Sequence, residues 1–289
     1  MSRGPRTVRR SSGAPVIEEP GSVGPQHKNH AAYFVPGLKR GLNVLEVLAA
    51  AERPLGVSEI AGRLALTRSS VFRLIYTLRY MGFLEPVEDT TGFRLGPRVL
   101  NIGFAYLASR DIIEIARPEL ELLRDRTNVS AHLGIRDHGE VLYLCCVQTR
   151  TGFLSNMNVG ARMPAYATPM GWLMLSDLAH RELAAMFAGR ELQKLTEFTP
   201  KSIPELSHRI AECVALGHVI SHGIMEPGGS SIAAPVMDKS GGIVAAIDIS
   251  GPDSAFEPGA MERRYLPEVT NAALRISARL GYVAGRPAP

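Results

Sequence analysis

The 289-residue sequence predicts an α+β protein in two parts: an N-terminal winged helix-turn-helix, then a linking helix and a larger sensor-like domain. Three observations predict it. Between residues 36 and 95, a helix, a short helix, a tight turn, an amphipathic helix and a two-strand hairpin follow one another in the order of a winged helix. After residue 111, strand-like runs are flanked by segregated helices, which argues against a doubly wound sheet. The charge is also uneven. Residues 1–100 carry 14 Lys+Arg against 8 Asp+Glu and the remainder 18 against 20, so a net charge of +4 conceals a basic N-terminal part suited to a polyanion.

The elements are read in order. Residues 1–32 form an expected disordered tail, because residues 1–30 hold four Pro, four Gly and four Ser and no aromatic residue. The winged helix is placed at 33–96. Leu42, Leu45, Val47 and Leu48 give the first helix its stripe, ending before Pro54, and Ser58 is expected to cap a short second helix bearing Ile60, Ala61 and Leu64. Thr67 caps the third, where Val71, Leu74, Ile75 and Leu78 recur at helical spacing. Strands at Phe83–Pro86 and Phe93–Leu95 form the wing. A linking helix follows within 97–110, with Pro97 at its start and apolar residues on more than one face, as in a helix that packs against a partner.

The second domain is placed at 111–283, with a short tail at 284–289. A helix over Ile112–Arg126 precedes strands at Val129–Ile135 and Val141–Gln148, joined by the turn signal Asp137-His138-Gly139. A Gly/Pro-punctuated loop over Gly160–Pro169, three helices to Leu216, strands near His218–His222, Ile232–Met237 and Ile243–Ser250, and a closing amphipathic helix complete it.

Composition excludes several classes. Hydrophobic and charged contents of 45% and 21% are those of a globular protein. No apolar run reaches the ~18 residues of a membrane helix, and the arginines of residues 3–10 precede no apolar core, so neither a signal peptide nor a membrane partner is expected. Three cysteines fit a reducing cytoplasm, and none has metal-ligand spacing. Neither cofactor nor metal is expected.

The third helix carries the chemistry for duplex DNA. Opposite its apolar stripe lie Arg68, Ser69, Phe72, Arg73, Tyr76 and Arg79, with Thr67 and Ser70 at its start: arginines for guanine edges or phosphate, hydroxyls for phosphate, an aromatic for a thymine methyl. Arg94 in the wing is within reach of phosphate or the minor groove. A small helical bundle with a solvated face, or a winged helix used only for protein contacts, fits the helix pattern as well.

The run Gly37–Glu46, the stretch Leu66–Ile75 followed by Thr77-Leu78 and Gly82-Phe83-Leu84, and Gly92-Phe93-Arg94-Leu95-Gly96-Pro97 resemble the IclR family of bacterial transcription regulators. The resemblance extends through Gly160-Ala161-Arg162-Met163-Pro164, Ala167-Thr168, Gly171, Glu226-Pro227-Gly228, Ile232–Val236 and Ser250-Gly251-Pro252, and covers roughly Val35 to Leu280. It implies a GAF-like effector-binding domain, a homodimer or homotetramer on a palindromic operator near catabolic genes, and DNA contacts at Ser58, Thr67, Arg68, Ser69, Ser70, Phe72, Arg73 and Arg94. Phe72 stands where the family often has His or Tyr.

The resemblance also places an effector pocket among Met157, Gly160, Ala161, Tyr166, Ala167, Trp172, Ser221, His222, Ser231, Ile232, Asp248 and Ser250. The chain departs from the family at Ser221 and His222 (often acidic), Trp172 (often Lys) and Asp248 (often Ser). A helix starting near Thr168 offers backbone N–H groups to a small carboxylate, Gly160 allows close backbone approach, and Trp172 with Tyr166 suits a flat ligand. The expected effector is a small organic or aromatic acid. The plainer reading of Trp172 is a side chain packed in the helix layer.

Other signals are set aside. His218, His222 and Glu226 have ligand spacing only on a helix, and the segment reads as strand and loop. A hydrolase using Ser231 and His222 is the alternative from another class, though no nucleophile elbow is present. Cys145 and Cys146 are adjacent in a strand and should face opposite ways.

Overall fold

The computed structural model describes residues 33–88, 90–108, 111–150 and 157–283. The tails expected at 1–32 and 284–289 lie outside the described residues. The chain divides into two compact units, one through Tyr106 and one from Leu107, so the division falls within the linking helix.

The first unit packs three helices and a small sheet. α1 (Pro36–Ala49) starts on a proline, whose missing N–H costs nothing at a helix start, and buries Val44, Val47 and Leu48. α2 (Val57–Arg63) buries Ile60 and Ala61, and α3 (Arg68–Tyr80) buries Val71 and Ile75. With Leu55 and Leu84 these residues form one core. Ala65, in the turn between α2 and α3, takes the left-handed backbone conformation at φ 50°.

Two local readings change. Ser58 does not cap α2; the helix starts two residues earlier than that cap implies, and Gly56 is the cap. The reason is Glu59, whose carboxylate accepts the Gly56 N–H at 3.2 Å and is held by Arg53 at 2.5 Å. Those two hydrogen bonds lower the Glu59 pKa to about 2. The wing is also not two strands but three. β1 (Leu55–Gly56) pairs with β3 (Gly92–Leu95), which pairs with β2 (Leu84–Pro86), all antiparallel. α4 (Arg98–Ala108) follows, the linking helix.

The second unit is a six-stranded antiparallel sheet in the order β6-β5-β4-β9-β8-β7. β4 (Ser130–Asp137) and β5 (Glu140–Val147) form the expected hairpin, with His138 at φ 57° in its two-residue turn. β6 is Arg162–Pro164, β7 Val219–His222, β8 Gly229–Met237 and β9 Ile243–Pro252. One face packs on α5 (Asp111–Thr127) and α9 (Leu266–Arg279), around Leu120, Leu133, Ile247, Val269 and Ile276. The other packs on α6 (Pro169–Leu175), α7 (His180–Met186) and α8 (Ile203–Leu216), around Met170, Leu173, Leu183 and Leu206. Cys145 and Cys146 follow this two-sided rule: the first lies in the α5/α9 core, the second against the opposite one.

Candidate DNA-reading surface and effector cleft

α3 is capped as its sequence predicts. Thr67 Oγ1 accepts the Ser70 N–H at 3.3 Å, satisfying one of the free donors of the first turn. With Val71 and Ile75 turned inward, the helix presents Arg68, Ser69, Phe72, Arg73, Tyr76 and Arg79 to solvent, while Ser70 is half-buried. Phe72 and Tyr76 are 59% and 66% exposed, and Tyr80 continues the same face. Among the described residues, Arg68, Arg73 and Arg79 have no ion-pair partner. Arg94, by contrast, is paired with Glu85 across β2 and β3 at 2.6 Å. A phosphate reaching Arg94 therefore competes with a carboxylate. Ser58 is exposed on α2.

The second unit holds a cleft of about 280 Å³ on the α6 side of its sheet. Its polar floor comes from strand register. Ser221, Ser231 and Ser250 are opposed on β7, β8 and β9, and Ser130 of β4 extends the row. Two residues along β9, Asp248 faces the same way and is opposed to His132 of β4. Ser221 and Ser231 hydroxyls are 3.1 Å apart. His132 Nδ1 lies 2.8 Å from Asp248 Oδ1, and both side chains are buried. Tyr143, whose ring meets that of His132 edge-on at 5.7 Å, closes the floor; burial raises its phenol well above the ordinary pKa. Met157, Met163, Pro169 and Ile224 make the apolar walls, with Glu226 and Gly229 beside them.

Of the residues expected around the effector, Met157, Ser221, Ser231, Asp248 and Ser250 line this cleft. The others do not. Trp172 is 3% exposed and donates its Nε1–H to the Tyr166 carbonyl at 2.6 Å inside the helix-layer core. Tyr166 lies in the same core, its hydroxyl donating to the Gln193 carbonyl at 3.0 Å, and Ala167 is buried beside it. Thus Trp172 and Tyr166 offer the cleft no flat platform, and Trp172 packs in the helix layer. Ile232 faces the opposite core, one residue out of phase with Ser231.

Gly160 and Ala161 hold the backbone of Tyr143: the Gly160 N–H donates to the Tyr143 carbonyl, and the Tyr143 N–H to the Ala161 carbonyl. Gly160 is needed for its φ of 88°, since a side chain there would meet nothing within 4 Å; it does not serve close approach. The start of α6 is taken up by its own residues. Pro169 has no N–H, and Thr168 Oγ1 accepts from Gly171 at 3.2 Å, so Pro169 rather than a row of donors meets the cleft. Gly171 is where close approach governs, because a Cβ there would fall on the Ala165 carbonyl.

His222 lies on the face opposite Ser231. Its Nδ1 is 2.7 Å from Ser230 Oγ, which in turn donates to Asp253. The serine sits between imidazole and carboxylate, so the relay of a hydrolytic triad, with histidine in the middle, is not formed. His218 Nδ1 lies 2.9 Å from the Leu216 carbonyl oxygen. Among the described residues no group of three His, Cys, Asp or Glu could hold a metal ion.

Sequence reasoning missed Tyr143, His132, Met163, Ile224 and Glu226. The alternation of β4 and β5 marks His132 and Tyr143 as inward-facing, but only the strand register brings them to Asp248.

A winged helix joined to an antiparallel α+β domain with a polar cleft is the build of a ligand-responsive transcription regulator. Residues 37–88 match the IclR helix-turn-helix domain, and residues 104–278 match the bacterial transcriptional regulator IclR C-terminal domain. The chain belongs to the IclR family of DNA-binding, ligand-responsive transcription regulators. It is 29% identical over 235 residues to the Pca regulon regulatory protein of Pseudomonas putida, covering 81% of this chain and 80% of that one. RHA06195 of Rhodococcus sp. RHA1 superposes with a TM-score of 0.75 at 32% identity, covering 86% of this chain and 98% of the other. An IclR homolog from Microbacterium hydrocarbonoxydans, solved with 4-hydroxybenzoate, shares the fold with a TM-score of 0.73 at 23% identity, over 84% and 98% of the two chains.

Proposed function

We propose that the chain acts in the cytoplasm as a homodimer or homotetramer that binds a palindromic operator beside a catabolic operon. α3 enters the major groove, with Thr67, Arg68, Ser69, Ser70, Phe72 and Arg73 on base edges and phosphates, Ser58 on the backbone, and Arg94 exchanging Glu85 for phosphate. The observation that carries this reading is the outward face of α3: three solvent-facing arginines without ion-pair partners among the described residues, beside exposed aromatics.

The effector, a small organic acid, occupies the cleft lined by Met157, Ser221, Ser231, Asp248 and Ser250. Its binding favours one arrangement of the subunits and so changes the spacing of the paired recognition helices. Ser231 and His222 face opposite sides of the sheet, which speaks against the hydrolase that would pair them.

Selection of duplexes from a random pool by the full-length chain tests the proposal. The expected result is enrichment of one inverted repeat; a pool without an enriched repeat contradicts it.

A further inference from the structure

The cleft floor is rich in hydroxyls and carboxylate, and no Arg, Lys or His is among the described residues lining it. Asp248 is 4% exposed. His132 occupies its Oδ1, and its second oxygen has no hydrogen-bond partner among the described residues. His132 Nε2 is also unpartnered, which matches the tautomer with the proton on Nδ1 donating to Asp248. A buried carboxylate with one oxygen open to a cleft lacks a donor, and leaving such a group unsatisfied is costly.

We propose that Asp248 selects the effector by accepting a hydrogen bond from an effector hydroxyl, with Ser221, Ser231 and Ser250 completing the recognition of a hydroxylated compound. An effector carboxylate is turned away from this floor, because beside Asp248 it would meet a like charge with no Arg or Lys among the described lining residues to offset it. A ring or chain carrying the hydroxyl rests its apolar side on Met157, Met163 and Ile224. The effector is therefore a hydroxy acid whose hydroxyl end leads into the cleft.

Calorimetric titration of the full-length chain tests this with two matched pairs, 4-hydroxybenzoate against benzoate and gluconate against hexanoate. Each pair keeps the carboxylate and removes hydroxyls. Benzylamine is the fifth probe, bringing a cation without a hydroxyl. The hydroxylated member of at least one pair is expected to bind about tenfold or more tightly than its partner, the effect of one hydrogen bond to a charged group, and Asp248→Asn to close that gap. If Asp248→Asn does not fold, the double variant Ser231→Ala/Ser250→Ala is expected to narrow it. Equal binding within both pairs, an unchanged gap in the variants, tighter binding of benzylamine, or no binding of either hydroxylated probe overturns the inference.

The inference rests on the cleft being the effector site, so Ser231→Trp, which fills it, is titrated alongside. A probe that binds Ser231→Trp undiminished removes the cleft as its site. Equal binding within a pair that Ser231→Trp abolishes leaves the cleft intact and removes only the role of Asp248.

Discussion

His132 and Asp248 face each other directly across β4 and β9, with Nδ1 and Oδ1 2.8 Å apart and the imidazole fully buried. A carboxylate placed this deep needs a hydrogen-bond donor, and the His132 ring nitrogen stands within reach to supply one. Replacing His132 with Phe keeps the ring and removes the donor. The expected cost is about 2–3 kcal/mol of folding stability, from one hydrogen bond to a charged group. Urea unfolding with an unchanged m value checks it, and an undiminished midpoint would show that Asp248 needs no partner.

Gly171→Ala should be more damaging than its size implies. The added Cβ falls on the Ala165 carbonyl, which the short helix preceding α6 holds in place. Overpacking against backbone costs about 1–3 kcal/mol. The same assay reads it, and a stability within about 0.5 kcal/mol of the parent, the range of neutral surface changes, would contradict the packing described.

The three thiols should be unreactive in the native chain. Burial raises the Cys146 and Cys213 pKa values to about 12 and shifts Cys145 upward as well, so thiolate is scarce at neutral pH. Ellman's reagent is expected to label the chain only after unfolding. Stoichiometric labelling under native conditions would contradict the burial.

Asp137 supplies a pH test. Hydrogen bonding from Arg162 is the main force holding its carboxyl below the usual carboxylate value, with His138 assisting. A carboxyl whose pKa is depressed in the folded state adds stability that is present above its unfolded pKa of about 4. That stability is lost as the pH falls through the lower folded value. Arg162→Gln should move the Asp137 titration upward by NMR, lower stability at neutral pH, and leave the variant losing less stability than the parent as the pH falls below ~4. An unmoved titration would dissociate Asp137 from Arg162.

Much of this architecture is legible in the sequence because it rests on local periodicity. Val71, Leu74, Ile75 and Leu78 mark α3 by spacing, and Thr67 marks its cap. β1 is not legible, since two residues, Leu55 and Gly56, carry no period and gain strand character only by pairing with Phe93 and Gly92. Ser58 misleads for a related reason: capping residue types recur near helix starts, and here Glu59 reaches back to Gly56 instead. The cleft is half legible. Ser231, Asp248 and Ser250 are found by resemblance, but their alignment with Ser221 and His132 is a property of register between distant strands. Trp172 and Tyr166 do interact as their proximity implies, through Nε1–H and a carbonyl, but in the core rather than at the cleft.

The most direct measurement is an anisotropy titration of the full-length chain on its selected duplex over a series of salt concentrations, repeated with Arg73→Ala. Affinity should fall linearly on a logarithmic salt scale as phosphate counterions are released. Arg73→Ala should cost about 1–3 kcal/mol of binding if Arg73 reads a base. Its folding stability should stay within about 0.5 kcal/mol of the parent, because the side chain is exposed. Salt-independent binding, or an Arg73→Ala variant that binds the duplex as tightly as the parent, would contradict the assignment of α3 as the reading helix.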